Sequence, residues 1–218
     1  MALRMLAFDY DGTLAQGGQL SPNAEQSLLA AKERGFQLGL VTGRFIDELF
    51  TICPQLGVFD LVVAENGAIV HMPAQRAIHE IAPAPSPMFL TALDQREVPY
   101  AMGRVMIASH RPYEQPVRAA IRESGLDLSV ILNKNDLMIL ASGTDKASGL
   151  QWALTRLGIA AEAVAGVGDA ENDLALFRAV GLRVAVANAL DVLKAEADLV
   201  TRTSNGSGVA EFIYNHVL

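Results

Sequence analysis

The sequence predicts a doubly wound, Rossmann-like α/β domain with a parallel sheet, interrupted by a small inserted α+β domain. Three observations predict it. Short apolar runs that suit strands buried on both faces alternate with helical segments at both ends of the chain. That rhythm breaks between about Met72 and Ala141, and Pro73, Pro83, Pro85 and Pro87 punctuate the entry to the break. It resumes after Thr144. The expected division is 1–73 and 142–218 for the α/β core and 74–141 for the insert.

Each element follows from local chemistry. Leu3 to Phe8 is a nearly continuous apolar run ending at Asp9, Asp11 and Gly12, the pattern of a buried strand. Ser21-Pro22-Asn23 offers an N-cap with proline at the first helical position, so Ala24 to Arg34 reads as a helix that Gly35 ends. Phe36 to Val41 is a second strand, followed by Thr42-Gly43-Arg44 and a helix to about Ile52. Leu61 to Ala64 is a third, and Asn66-Gly67 is a hairpin turn into Ala68-Ile69-Val70.

Within the insert, Met88 to Val98 and Gln115 to Ser124 read as helices. Arg104 to Ser109, Leu128 to Leu132 and Leu137 to Ala141 read as strands, the last two joined by the turn Asn133-Lys134-Asn135-Asp136. The core then continues with a helix from Lys146 to Leu157, closed by Gly158, and a strand from Ala163 to Val167 ending in Gly168-Asp169. A helix through Ala179, a strand from Leu182 to Val186, a helix from Ala189 to Ala195 and a short strand at Leu199-Val200 follow. Gly208 to His216 is the closing helix.

Composition narrows the function. The 218 residues are 51% hydrophobic and 19% charged, a globular balance. A net charge of −7 argues against nucleic acid, which is bound through clustered Lys and Arg. Cys53 stands alone, so neither a disulfide within the chain nor a cysteine zinc site is expected. His71, His79, His110 and His216 have no ligand spacing. No run approaches the roughly 18 apolar residues of a membrane span, and no segment has a signal-peptide layout, so a cytoplasmic protein without a membrane partner is expected.

The chemistry gathers at strand ends, where open α/β sheets bind ligands. Residues two apart on an extended strand point to one side, so Asp9 and Asp11 address one site, and Gly12 lets the chain turn sharply after them. Two such carboxylates need a positive partner, and hard oxygen ligands suit Mg²⁺. Thr42-Gly43-Arg44 supplies a hydroxyl and helix N-terminal N–H groups for a phosphate. Lys146 begins a helix, where a cation is disfavoured, and so points to an anion nearby. In Gly168-Asp169-Ala170-Glu171-Asn172-Asp173, Asp169 joins the acidic pair, with Asp173 one helical turn on.

Asp9-x-Asp11-Gly12-Thr13-Leu14, Thr42-Gly43-Arg44, Lys146 and Gly168-Asp169-x-x-Asn172-Asp173 resemble the four ordered motifs of the haloacid dehalogenase superfamily. Glu65-Asn66-Gly67-Ala68 and Asn188-Ala189 resemble its Cof-type, sugar-phosphatase-like branch, whose cap domain is inserted between the second and third motifs. Ala147 departs from the glycine that many relatives carry after the lysine, and the insert is nearer in size to that of phosphoglycolate-phosphatase-like members.

The resemblance implies an Mg²⁺-dependent phosphatase with Asp9 as nucleophile, an aspartyl-phosphate intermediate and Asp11 as acid and base. It implies metal ligation by Asp9, the backbone carbonyl of Asp11, and Asp169, with Asp173 in support. Thr42, its neighbouring N–H groups at Gly43 and Lys146 then hold the phosphoryl oxygens. Asn172 positions Lys146 or a phosphate oxygen, and Arg44 braces its loop or meets the cap. The expected partner is a small-molecule phosphate ester, whether phosphoglycolate, a sugar phosphate or a cofactor precursor. A phosphosugar mutase of the same superfamily and a receiver-like phosphorylated switch are the alternatives. Arg104, His110, Arg111, Arg118 and Lys134 are the cap cations available to a substrate, and Met102, Met106 and Met138 its flexible apolar residues.

Overall fold

A computed structural model describes residues 2–218. In chain order the first core segment comprises β1 (Met5–Phe8), the small hairpin β2 (Ala15–Gln16) and β3 (Gln19–Leu20), α1 (Pro22–Glu33), β4 (Gln37–Val41), α2 (Ile46–Ile52), β5 (Leu61–Ala64), β6 (Ile69–Met72) and β7 (Ala77–Glu80). The inserted segment holds α3 (Pro87–Asp94), β8 (Ala101–Met102), β9 (Ile107–His110), α4 (Glu114–Ser124), β10 (Leu128–Asn133) and β11 (Asp136–Ala141). The chain then returns through α5 (Lys146–Leu157), β12 (Val164–Gly168), α6 (Asp173–Arg178), β13 (Leu182–Ala185), α7 (Asp191–Lys194), β14 (Leu199–Val200) and α8 (Asn205–Phe212). None of these helices is long and apolar enough to cross a membrane.

The main sheet has the order β14-β13-β12-β1-β4-β5-β6-β7. Its six strands from β14 to β5 are parallel, whereas β6 and β7 fold back antiparallel. β1 shows why the sequence reads as an unbroken apolar run. Leu6 and Phe8 enter the core on one face, Met5 and Ala7 the core on the other, and all four are fully buried. The chain first winds from β1 toward β5 and later from β12 toward β14, so the direction of winding reverses between β1 and β12. That switch point opens a crevice beyond the carboxyl ends of the strands.

The inserted segment makes its own antiparallel sheet, β10-β11-β9-β8. Alternation along β11 divides its side chains: Leu137 and Ile139 pack with Phe89, Leu93, Val117 and Ala120 under α3 and α4. Met138 and Leu140, on the opposite face, join the main core. The insert therefore has a core of its own and lends its other face to the crevice.

Three expectations shift. The sequence reading closes the first core segment at residue 73, yet Ala77–Glu80 pair with β6 in the main sheet. The strand expected from Arg104 begins only at Ile107, because the N–H groups of Arg104, Val105 and Met106 bind the Glu65 carboxylate instead of a neighbouring strand. The closing helix starts at Asn205 rather than Gly208 and continues as a π-helix from Ile213.

Close packing positions α5. Gly149 lies against the β5–β6 turn, where an added Cβ would sit 2.6 Å from the Gly67 carbonyl oxygen and from Val63 Cγ1. Gly149→Ala is expected to destabilise the protein by about 1–3 kcal/mol, since overpacking against backbone exceeds the helix-propensity gain of about 1 kcal/mol. Urea denaturation reads this directly, and an unchanged or raised midpoint would contradict it.

A pH effect follows from the β13–β14 connection. Asp198 accepts hydrogen bonds from the Arg183 side chain (Nη2 2.6 Å, Nε 3.0 Å) and backbone N–H (2.9 Å). Arg183 thereby lowers its pKa to about 2. The folded value lies below the unfolded value of about 3.9, so the stabilisation is present above pH 4 or so and is lost as the pH falls through about 2. The pair is part-exposed and its contribution is small. In chemical denaturation at several pH values, Asp198→Asn should lower stability at neutral pH, with the gap from wild type closing in acid.

Candidate active site

The site is built from four loops at the carboxyl edge of the main sheet. β1 leads directly into Asp9, and Gly12, with φ +87, turns the chain back three residues later. A Cβ at Gly12 would lie 2.3 Å from Asp169 Oδ2, so this glycine serves both the turn and the approach of the loop after β12. Asn188 Nδ2 ties the same turn by donating to the Gly12 carbonyl at 2.8 Å.

The loop after β4 carries Thr42, Gly43 and Arg44. It is laced to the end of β5 by backbone bonds from Asn66 N to Thr42 O (3.0 Å) and from Glu65 N to Arg44 O (2.9 Å). Thr42 is buried, and its Oγ1 accepts from the Arg44 N–H. After β12, Asp173 Oδ2 accepts from the N–H groups of Asp169 (2.9 Å) and Ala170 (3.0 Å), which shapes the turn into α6.

Lys146 reaches this point from the first position of α5. Its Nζ donates to Asp9 Oδ1 and Asp173 Oδ1, both at 2.6 Å, and the residue is fully buried. The capping box of Asp145 and Ser148 starts the helix without help from the lysine, leaving the ammonium to the carboxylates. Burial alone would favour the neutral amine, but Asp173 and Asp9 raise the Lys146 pKa above the ordinary lysine value.

The acids outnumber the charge that Lys146 supplies. Carboxylate oxygens of Asp9, Asp169 and Asp173 lie within 4.8 Å of one another, and all three residues are buried. Burial and the neighbouring Asp173 and Asp169 charges push the Asp9 pKa far above the usual carboxylate range, against the pull of Lys146. Asp9 Oδ2 makes no hydrogen bond among the described residues, and Asp9 lines the cavity between core and insert. Clustered hard oxygens with unmet negative charge fit a small divalent cation.

The remaining expected residues divide. Asp11 is not in the carboxylate cluster: its side chain accepts from Arg44 Nε (2.6 Å) and Nη2 (2.8 Å). Arg44 also pairs with Glu48 and lies over the Tyr10 ring. Asn172 is buried and donates to Asn66 Oδ1 at 3.3 Å rather than to Lys146. Asp9, Asp11, Thr42, Gly43, Arg44, Asp169 and Asn172 all line one cavity of about 430 Å³.

The insert closes this cavity with Met106, Ala108 and Met138. Met138 rests on Gly43, where a Cβ would meet its Cε at 2.3 Å, whereas Met102 is exposed on β8. Four of the five cap cations are engaged elsewhere: Arg104 with Asp47, His110 with Asp136, Arg111 with the Lys134 carbonyl and Arg118 with Glu114. Lys134 alone among them enters the cavity lining.

Glu65 is the residue whose role sequence reasoning missed. It is fully buried at φ +50, and its carboxylate accepts from the N–H groups of Arg104 (2.9 Å), Val105 (2.8 Å) and Met106 (2.9 Å). The signal was an acid directly after the apolar run Leu61–Ala64, with no strand position left to expose it. Glu65→Ala leaves these donors without an acceptor and should lower stability by about 2–4 kcal/mol, with Glu65→Gln in between. Urea denaturation of both variants tests this; a loss below about 0.5 kcal/mol for the alanine would show the contact to be dispensable.

A family model described as haloacid dehalogenase-like hydrolase matches residues 6–104 and 102–213. The phosphoglycolate phosphatase of Methanothermobacter thermautotrophicus is 32% identical over 222 residues, covering 97% of each chain. The solved structure of Thermoplasma acidophilum 0175 superposes with a TM-score of 0.85 at 21% identity, covering 98% of each chain. A haloacid dehalogenase subclass IIB sugar phosphatase, BT4131, gives a TM-score of 0.79 at 18% identity over 97% of this chain and 98% of that one.

Proposed function

The chain belongs to the haloacid dehalogenase-like hydrolases, and from that premise we propose that Asp9 is the nucleophile of a phosphatase acting on small phosphorylated metabolites. One observation carries the assignment: Asp9, Asp169 and Asp173 converge from distant segments, and a buried Lys146 ammonium lies 2.6 Å from the first and the last. The α/β core supplies these groups, and the inserted segment acts as a cap.

In the first step an Asp9 carboxylate oxygen attacks phosphorus and the bond to the leaving oxygen breaks, giving an aspartyl phosphate. Asp11, released from its pairing with Arg44 and carrying a proton, passes that proton to the departing alkoxide. In the second step Asp11 takes a proton from water, which attacks the same phosphorus and frees Asp9 and inorganic phosphate. Lys146 neutralises charge on the phosphoryl oxygens, with Thr42, Gly43 and Asn172 lining their site. Asp9, Asp169 and Asp173, with the Asp11 carbonyl, would hold Mg²⁺, which when bound would offset the repulsion between an anionic nucleophile and a phosphate dianion. The cap excludes water and bounds the leaving group, and its lining of Met106, Ala108 and Met138 suits a small organic part.

Asp9→Asn should lower Mg²⁺-dependent hydrolysis of p-nitrophenyl phosphate by at least about 10⁴-fold while leaving the circular dichroism spectrum unchanged. Asp11→Asn should lose about 10²–10⁴-fold and still bind phosphate. Turnover by Asp9→Asn near the wild-type rate would remove Asp9 from the nucleophile role. Chelation with EDTA should abolish turnover, and Mg²⁺ should restore it.

A further inference from the structure

The turn after β5 is left-handed at three successive residues: Glu65 has φ +50, Asn66 φ +52 and Gly67 φ +109. Only the last is glycine, and other residues keep this conformation where contacts on several sides hold them. Glu65 binds the insert through the Val105 and Met106 N–H groups. Gly67 lies so near the start of α5 that a Cβ on it would stand 1.9 Å from the Asp145 carbonyl oxygen. Asn66, between them, is 1% exposed. Its backbone N–H donates to the Thr42 carbonyl at 3.0 Å, and its side-chain Oδ1 accepts from Asn172 Nδ2 at 3.3 Å. It therefore joins the two loops whose Thr42, Gly43 and Asn172 line the cavity, while standing behind that lining itself.

The other end of the Asn66 amide is unused. Its Nδ2 is buried and has no hydrogen-bond partner among the described residues. A buried donor left without an acceptor is rarer than a buried carbonyl oxygen left without a donor. Turning both amides over would keep a bond, from Asn66 Nδ2 to Asn172 Oδ1, and would leave Asn66 with an unpaired oxygen instead. The protein holds the less favourable polarity, and the consequence falls on Asn172. Its Nδ2 stands on the side of Gly43, 3.8 Å from where a Cβ on that glycine would be. One Nδ2 hydrogen goes to Asn66, and the second is left for a ligand. The reversed pair would present a carbonyl oxygen there, which repels an anion.

We infer that Asn66 is a positioning residue for phosphoryl transfer: its side-chain carbonyl fixes the Asn172 amide with the NH₂ group turned to the phosphoryl oxygens. The inference rests on the phosphatase reading and deepens it by naming the residue that orients the anion site. Asn66 touches no reacting atom and acts through Asn172. The choice of residue fits this role. Glycine would satisfy the backbone at φ +52 but carries no acceptor, whereas asparagine tolerates the left-handed region and brings a short one. The backbone bond to Thr42 needs no side chain, so the amide of Asn66 has one contact to account for it, and that contact is Asn172.

A double-mutant cycle tests this. Asn66→Gly removes the acceptor while relieving the backbone, and Asn172→Ala removes the donor. In kcat/KM for p-nitrophenyl phosphate, Asn66→Gly should lose about 5–20-fold and Asn172→Ala about 10–100-fold. The double variant should fall no more than about twofold below Asn172→Ala, because a residue that acts through another adds nothing once its partner is gone. A merely structural role would multiply the two losses and overturn the assignment. The second readout needs neither turnover nor a variant. In nuclear magnetic resonance spectra of the wild type with Mg²⁺, inorganic phosphate should shift the side-chain NH₂ signal of Asn172. In Asn66→Gly the same shift should need about 5–20-fold more phosphate. An Asn172 signal that phosphate leaves unmoved would overturn the assignment even if Asn66→Gly does not fold. A wild type that binds phosphate at Asn172 but hydrolyses no ester would remove the phosphatase reading and keep the orienting contact. Turnover with independent losses would remove only the role of Asn66.

Discussion

The buried Lys146 ammonium is the constraint on which the rest of the site depends. A charge removed from water is tolerated only when anions touch it, and here Asp9 and Asp173 each accept at 2.6 Å. These partners stand 137 and 27 residues away in sequence, so one cation fastens the end of β1, the start of α5 and the start of α6 to a common point. The position is unfavourable for a lysine in helical terms, because the first turn of a helix repels positive charge by about 0.3–1 kcal/mol. Two buried contacts with carboxylates outweigh that. The same contacts leave one acid in excess around the ammonium, so the structural solution for the lysine is also what makes the cluster receptive to a second cation.

Topology brings the loops together, and small residues let them touch. β1 and β12 are adjacent parallel strands, so Asp9 and Asp169 emerge side by side, with the chain winding away on opposite sides. At that spacing the loops have no room for Cβ atoms. One at Gly168 would sit 2.5 Å from Asp173 Cγ, and one at Gly43 would displace Met138. Hence glycine at these positions belongs to the chemistry as much as the carboxylates do. Without it the acids would reach the same sheet edge but not the same cation.

Those features are legible in sequence because they are local. The apolar runs, the capping residue Ser21, and the order Asp9, Thr42, Lys146, Asp169 are written in short segments, and the observed strand Leu61–Ala64 and helix Lys146–Leu157 coincide with the expected ones. What sequence does not disclose is pairing across long separations. Arg104–Met106 has strand-forming residues, but a carboxylate 39 to 41 residues earlier captures its N–H groups. β7 lies among turn-forming residues, yet β6 offers it an edge. The cap cations look alike in one dimension, and only the fold shows that Arg104, His110, Arg111 and Arg118 are committed elsewhere while Lys134 is in the cavity. Arg44, whose role sequence leaves between loop and cap, pairs with Asp11 across 33 residues.

Among the polar contacts that join the insert to the core, those at Glu65 and Lys134 differ in character. At Glu65 a fully buried carboxylate receives three N–H groups, of which those of Val105 and Met106 are themselves buried. Breaking that contact strands an uncompensated charge away from water, at several kcal/mol. At Lys134 the contact is an ion pair from a half-exposed, flexible stem to the buried Asp169, beside a backbone N–H bond to Glu171. The insert thus meets the core through a fully buried carboxylate at one point and a part-exposed ion pair at another, and Met106, held by the first, has its place in the apolar wall of the cavity fixed by it.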